Sequence, residues 1–203
     1  PHGEGVSLYL RPLIFATEEV LKARISEKYM FAIVATPAKL YYTEPVSVKI
    51  ADYYSRAANG GVGSAKAAGN YAASFYPTKM AMEEGFDQIV WTDDSTHQFF
   101  EESGTMNVFV RINDVLYTPP TSEKILNGVT RDSFIQIAQS MQMDVRVEPI
   151  SVDMVMEAQN NGTLREMFGV GTAVVTTVFK SFGFKDKKYE LPELSDEESY
   201  ALT

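Results

Sequence analysis

A single lysine stands at the end of a glycine run: Gly60-Gly61-Val62-Gly63-Ser64-Ala65-Lys66-Ala67-Ala68-Gly69-Asn70-Tyr71. Glycines permit unusual turns, and small neighbours let a bulky planar group approach the backbone. A lysine that loses charge by desolvation there acts as a nucleophile or Schiff-base former. The same pattern also describes a solvated loop lysine. It is not a P-loop, because Gly-x-x-x-x-Gly-Lys-Ser/Thr is absent. Two acidic pairs also carry potential chemistry, Asp93-Asp94 and Glu101-Glu102. The first sits in Asp93-Asp94-Ser95-Thr96 and reads as turn chemistry rather than a cation site. The second lies in a strand pattern, where adjacent side chains point to opposite faces. Only one of the two can then face a given ligand, unless the pair simply faces solvent.

The surrounding pattern is mixed strand and helix. Residues 6–11 alternate, with Val6, Leu8 and Leu10 on one face and Ser7, Tyr9 and Arg11 on the other. Spacing alone makes Tyr9 and Arg11 a polar outer face. Residues 29–35 are nearly all apolar and predict a buried strand, ended by Pro37. Residues 46–50 predict another strand, and Tyr41, Tyr42, Tyr53 and Tyr54 around it predict packing at a boundary. A long loop from Arg56 to Gly63 leads to the lysine. Asn70 predicts the N-cap of a helix to about Glu84, kinked or interrupted by Pro77. Strands follow at 86–92, 98–102 and 104–112, with a hairpin turn at Asn113-Asp114. Gly128-Val129-Thr130 opens an amphipathic helix carrying Phe134, Ile137, Ala138 and Met141 at helical spacing. A helix start offers free N–H groups to phosphate, although it also serves as an ordinary helix start. Ser151 predicts the cap of a short helix, and Gly169–Gly171 a tight loop before a strand at 172–179. Ser195-Asp196-Glu197-Glu198 resembles the start of a final helix.

Composition narrows the function classes. A net charge of −9 disfavours binding to nucleic acid or to anionic membrane. There is no cysteine, hence no disulfide framework and no cysteine zinc site, compatible with a cytoplasmic protein. His2 and His97 read as isolated surface residues. No apolar run reaches membrane-spanning length. The first residue is Pro rather than Met, which points to processing or a cut.

Four segments in order resemble the branched-chain amino acid aminotransferases, pyridoxal-phosphate (PLP) enzymes of fold type IV. They are Gly69-Asn70-Tyr71-Ala72-Ala73-Ser74 after Lys66, Glu102-Ser103-Gly104-Thr105-Met106-Asn107, Ile125-Leu126-Asn127-Gly128-Val129-Thr130-Arg131 and Gly169-Val170-Gly171-Thr172-Ala173. Ser7-Leu8-Tyr9-Leu10-Arg11-Pro12 extends the match towards the start. The resemblance implies a mixed α/β (α+β) fold, the larger, pseudo-barrel cofactor domain of that class. It implies a strand-rich segment over 1–50, an interdomain-type loop over 51–65 and the PLP domain over 66–203. It makes Lys66 the Schiff-base lysine, Glu102 the partner of the pyridine nitrogen, and Tyr71 the partner of the phenolic oxygen. Thr105 is a further cofactor contact. It assigns the phosphate to the amides of Val129 and Thr130 and the hydroxyl of Thr172. The amides of Thr172 and Ala173 meet the substrate α-carboxylate. Tyr9 and Arg11 move from an outer face to the substrate site, where a guanidinium binds a distal carboxylate in a bidentate fork. Arg131 remains structural.

The activity so implied is transfer of the amino group of leucine, isoleucine or valine to 2-oxoglutarate by a homodimer. A D-amino-acid aminotransferase, an aminodeoxychorismate lyase of the same fold and a non-catalytic remnant are the alternatives. Ala68, Ser103, Asn127 and Val170 depart from the family's commoner choices, each beside a functional group rather than at one. The family also has a smaller N-terminal domain and a final helix that this sequence does not show. The expectation is therefore a fragment, inactive or nearly so, that need not hold PLP by itself.

Overall fold

The computed structural model describes residues 6–38, 44–173 and 175–201. His2, Tyr41 and Tyr42 lie outside the described residues. The chain forms two compact units, Pro1–Tyr41 and Tyr42–Thr203.

In the smaller unit, β1 (Ser7–Ala16) and β2 (Tyr29–Ala38) pair antiparallel from Ser7↔Ala38 to Ala16↔Tyr29. The strand expected to be buried is exposed instead: Phe31 is 65% and Ile33 61% accessible. Apolar, β-branched residues favour a strand, but burial needs a second layer, and a two-stranded ribbon supplies none of its own. Pro37 lies within β2, opposite Leu8, rather than ending it. Each strand of a ribbon has an unpaired edge, where a missing N–H costs no ladder bond.

The larger unit contains β3 (Val46–Ile50), α1 (Ala68–Glu83), β4 (Gln88–Thr92), β5 (Phe100–Ser103), β6 (Met106–Ile112), β7 (Val115–Thr118) and α2 (Val129–Ser140). β8 (Asp144–Val147), α3 (Val152–Asn160), β9 (Leu164–Gly171), β10 (Val175–Phe184) and β11 (Lys187–Glu190) complete it. Pairing runs β10–β3–β4–β5–β6, and β9 bridges β6 back to β10, so these six strands close a barrel. β11 extends it beyond β10, and β7 and β8 extend it beyond β6. The expected mixed α/β pseudo-barrel is observed. The expected boundary at residue 50 is not: β3 pairs in parallel with both β10 and β4, and Val48 and Ile50 are wholly buried. Removing this strand from the unit would open the barrel.

Both faces of β6 and β9 are covered; Gly169–Gly171, expected as a tight loop, are instead the end of β9, and the turn falls at Thr172-Ala173. Val108, Val110 and Met167 pack into one core with Val152 and Val155 of α3. Phe109 and Phe168, on the alternate face, pack with Ile135 and Phe134 of α2, their own rings stacked at 5.3 Å. α2 buries Arg131, Ile135 and Ala138, whereas Ile137 and Met141, expected on its inner face, are exposed. The 3.6-residue period places Ile135, not Ile137, in line with Arg131 and Ala138. α1 begins at Ala68 with Ala67 as N-cap, so Asn70 lies inside the helix, and the helix continues through Pro77. Ser151 caps α3 as expected, its hydroxyl accepting the Met154 N–H at 3.0 Å.

Candidate active site

The lysine loop is held by hydrogen bonds and by close packing at Gly63. The Ser64 N–H donates to the Glu123 carbonyl at 2.8 Å, and the Gly60 N–H to the Glu123 carboxylate at 2.8 Å. Gly63 lies against Lys124, where a Cβ would stand 2.7 Å from the lysine Cα and carbonyl. Asn70 does not cap α1. Its amide donates to the carbonyls of Val62 and Ala65, at 2.8 and 2.9 Å, and so fastens both ends of the turn preceding Lys66. The Lys66 amine lies 5.7 Å from the centroid of the Tyr71 ring. Lys66 is exposed, so the desolvation expected of a nucleophilic lysine is not supplied by the described residues. The glycines shape the loop without covering it.

Glu102 is the buried counterpart. Its carboxylate accepts the Leu126 N–H at 2.6 Å and pairs with the Arg56 guanidinium at 2.9 Å. Arg56 is itself anchored on the carbonyls of Gly63 and Lys124. Burial pushes the Glu102 carboxyl up to about 7, against the opposing pull of Arg56, the Leu126 amide and Lys66. Glu101 points the other way, as strand alternation requires. It pairs with Lys124 at 2.7 Å, which also reaches Asp94 at 3.0 Å. Burial raises the Glu101 carboxyl as well. Asp93 forms the expected turn, accepting from Ser95, Thr96, Gln98 and Phe99. No group of three or more metal-ligating side chains occurs among the described residues.

Arg56, Lys66, Asn70, Tyr71, Glu102 and Thr105 line one cleft. The start of α2 forms a second cluster. Its N-cap Gly128 has no side-chain cap, Val129 is exposed, and the Thr130 and Thr172 hydroxyls lie 3.2 Å apart. Thr172 and Ala173 are exposed where β9 turns into β10. Arg131 is buried, and its guanidinium donates to the Pro119 carbonyl at 2.7 Å, a structural contact. Tyr9 and Arg11 belong to β1 of the smaller unit, the guanidinium 4.9 Å from the tyrosine ring centroid.

The sequence reading missed Arg56, Asn107 and the Leu126 backbone, and it misassigned Asn70. One signal was available: a buried carboxylate needs a partner, and Arg56 opens the loop that leads to Lys66. The carbonyls fastened by Asn70 carry no side-chain signature.

The fold and cleft define a class, the barrel domain of the fold type IV aminotransferases. The chain belongs to the class IV amino-transferase family, whose model matches residues 2–176. It is 46% identical over 181 residues to "Branched-chain-amino-acid transaminase 1" of Bacillus subtilis (strain 168), covering 87% of this chain and 51% of that protein. It resembles the branched-chain aminotransferase of Thermoproteus uzoniensis solved with norvaline, with TM-score 0.81 and 24% identity over 96% of this chain and 62% of that one, which speaks to fold alone. The branched-chain amino acid aminotransferase from Escherichia coli matches with TM-score 0.71 and 25% identity, covering 86% of this chain and 56% of that one. The chain spans about half the length of the curated relatives it matches.

Proposed function

We propose that the protein is a PLP-dependent aminotransferase that moves the amino group of leucine, isoleucine or valine to 2-oxoglutarate. The observation that carries this is the convergence of Lys66, Tyr71 and Glu102 on one cleft. The residues fit the cofactor. An ionised carboxylate offers about four acceptor sites, and Glu102 uses two of them on Arg56 and Leu126. It therefore retains capacity for a protonated ring nitrogen, and such a cation would relieve the burial of its charge.

Bound PLP supplies an electron sink for negative charge developing at the substrate α-carbon. Glu102, fixed by Arg56 and Leu126, holds the proton on the ring nitrogen. The Lys66 amine would be the group that holds PLP at its aldehyde carbon, and as a free amine it would carry a proton at the substrate α-carbon. Tyr71 donates its hydroxyl to the phenolic oxygen, and Thr105 adds a contact at the rim. Val129 and Thr130 offer amides to the phosphate, joined by the Thr172 hydroxyl. The Thr172 and Ala173 amides orient the substrate α-carboxylate. Tyr9 and Arg11 recognise the distal carboxylate of glutamate or 2-oxoglutarate. The exposure of Lys66 supports the further reading that this chain by itself turns over poorly and that a homodimer covers the site; a cytoplasmic location is inferred from the bacterial relatives alone.

A substrate panel run on the whole protein tests the activity. Glutamate formation from leucine, isoleucine or valine with 2-oxoglutarate is the expected result. Turnover confined to D-alanine, or to aminodeoxychorismate, would move the assignment to the alternatives within the fold.

A further inference from the structure

We propose that Asn107 is a positioning residue, joining the acid for the ring nitrogen to the phosphate end of the site through Leu126. This rests on the reading of Glu102 and α2 given above.

Leu126 lies in an irregular segment between β7 and α2, where backbone polar groups have no ladder to join and need other partners. Both of its groups are taken by side chains from directly opposed strand positions, because Glu102 of β5 and Asn107 of β6 are cross-strand partners. Glu102 accepts the Leu126 N–H at 2.6 Å, and the Asn107 amide donates to the Leu126 carbonyl at 2.9 Å. Asn107 is 6% exposed, so this donor is not shared with bulk water. The amide oxygen of Asn107 lies against Gly128, where a Cβ would collide with it. Gly128 has φ −70° and ψ 129°, a conformation open to any residue, so space rather than backbone geometry demands glycine there. Gly128 is the N-cap of α2, and the next two residues are Val129 and Thr130. One amide therefore sets the height of Leu126 beneath Glu102 and the position of the helix start that offers its amides to phosphate. The same segment reaches the lysine loop through Glu123 and Lys124.

The charged groups acting on Glu102 are Arg56, Lys66 and Glu101, and substitution of Asn107 alters none of them directly. Asn107→Leu keeps the branched shape but removes the donor. The freed Leu126 carbonyl then draws the segment away, and Glu102 loses the N–H that stabilises its charged form. Thr118→Val is the control, since Thr118 is wholly buried and its hydroxyl donates to the Val108 carbonyl at 2.9 Å, away from Leu126.

The primary readout needs no cofactor: the Glu102 carboxyl titration, followed by carbon-13 NMR in wild type, N107L and T118V. The expected result is an upward-shifted midpoint in N107L and an unshifted one in T118V, although both lower the melting temperature. An unshifted midpoint in folded N107L, or an equal shift in T118V, overturns the proposal. Asn107→Ser, smaller and still polar, gives the same reading where N107L does not fold. The second readout is affinity for PLP and for pyridoxal. N107L should weaken both about tenfold or more, because it disturbs the ring end as well as the phosphate end. Loss confined to PLP would place Asn107 with the phosphate alone and overturn the coupling. If wild type binds neither probe, the affinity readout passes to the whole protein, where binding of neither would sink the aminotransferase reading, while the NMR result still decides the role of Asn107 towards Glu102.

Discussion

Glu101 and Glu102 are neighbours on β5, both buried, each paired with a cation, yet they do different work. Glu101 faces Lys124, which also binds Asp94, so the charges on that side answer one another. Glu102 faces Arg56 and the Leu126 amide, and its side of the strand opens to a cleft that contains Lys66 and Tyr71. The two faces show that a buried ion pair does not by itself mark a site. What distinguishes Glu102 is its company: the cleft on its side also holds Lys66, Tyr71 and Thr105, whereas the pocket beside Glu101 is lined by Asp93, Lys124 and prolines.

The comparison breaks most severely at Arg56. Arg56→Ala leaves Glu102 buried without its cation, a loss of about 3–5 kcal/mol. It also releases the carbonyls of Gly63 and Lys124. Urea denaturation should show the stability loss, and PLP titration a matching loss of affinity. Glu102→Gln keeps the shape and removes the charge. It should weaken cofactor binding by about 2–5 kcal/mol, read by absorbance titration, with a smaller change in stability. Glu101→Gln should do the reverse. Lys124 keeps Asp94, so the cost is about 1–3 kcal/mol of stability, with cofactor affinity unchanged in the same titration.

The pH dependence sharpens the same contrast. The folded-state carboxyl of Glu102 stands above its unfolded value of 4.5, at about 7. The native state therefore holds more protons across that window, and stability of the cofactor-free chain falls as pH rises from about 4.5 through about 7. Denaturation at several pH values should show the decline, and E102Q should remove the part of it that extends to neutrality. The smallest effect is expected at the start of α3. Ser151→Ala removes the cap of α3 and should cost about 1 kcal/mol, with no change in cofactor binding.

Several barrel strands were legible because they carry period-two or continuously apolar patterns bounded by turns, whereas β9, with Arg165, Glu166 and two glycines in it, was not. The residues that converge on the cleft were legible through motif resemblance, and strand alternation correctly separated Glu102 from Glu101. Other features were not legible for physical reasons. The apolar content of β2 implied burial, but burial depends on a covering layer that no single strand encodes. β3 looked like a member of an N-terminal segment, but its two parallel neighbours come from distant parts of the sequence. Asn70 fitted an N-cap by type, but tertiary carbonyls at Val62 and Ala65 compete for its amide, and the helix starts two residues earlier. Asn107 and Leu126 act through a backbone contact between segments 19 residues apart, which leaves no local pattern.

The central claim is that Lys66 is the amine that holds the cofactor. It is tested most directly by borohydride reduction of the protein with PLP, followed by peptide mapping. The account predicts a phosphopyridoxyl group on Lys66 in wild type and its loss in Lys66→Ala. Labelling of other lysines with Lys66 untouched, or no labelling in either this chain or the whole protein, would contradict it.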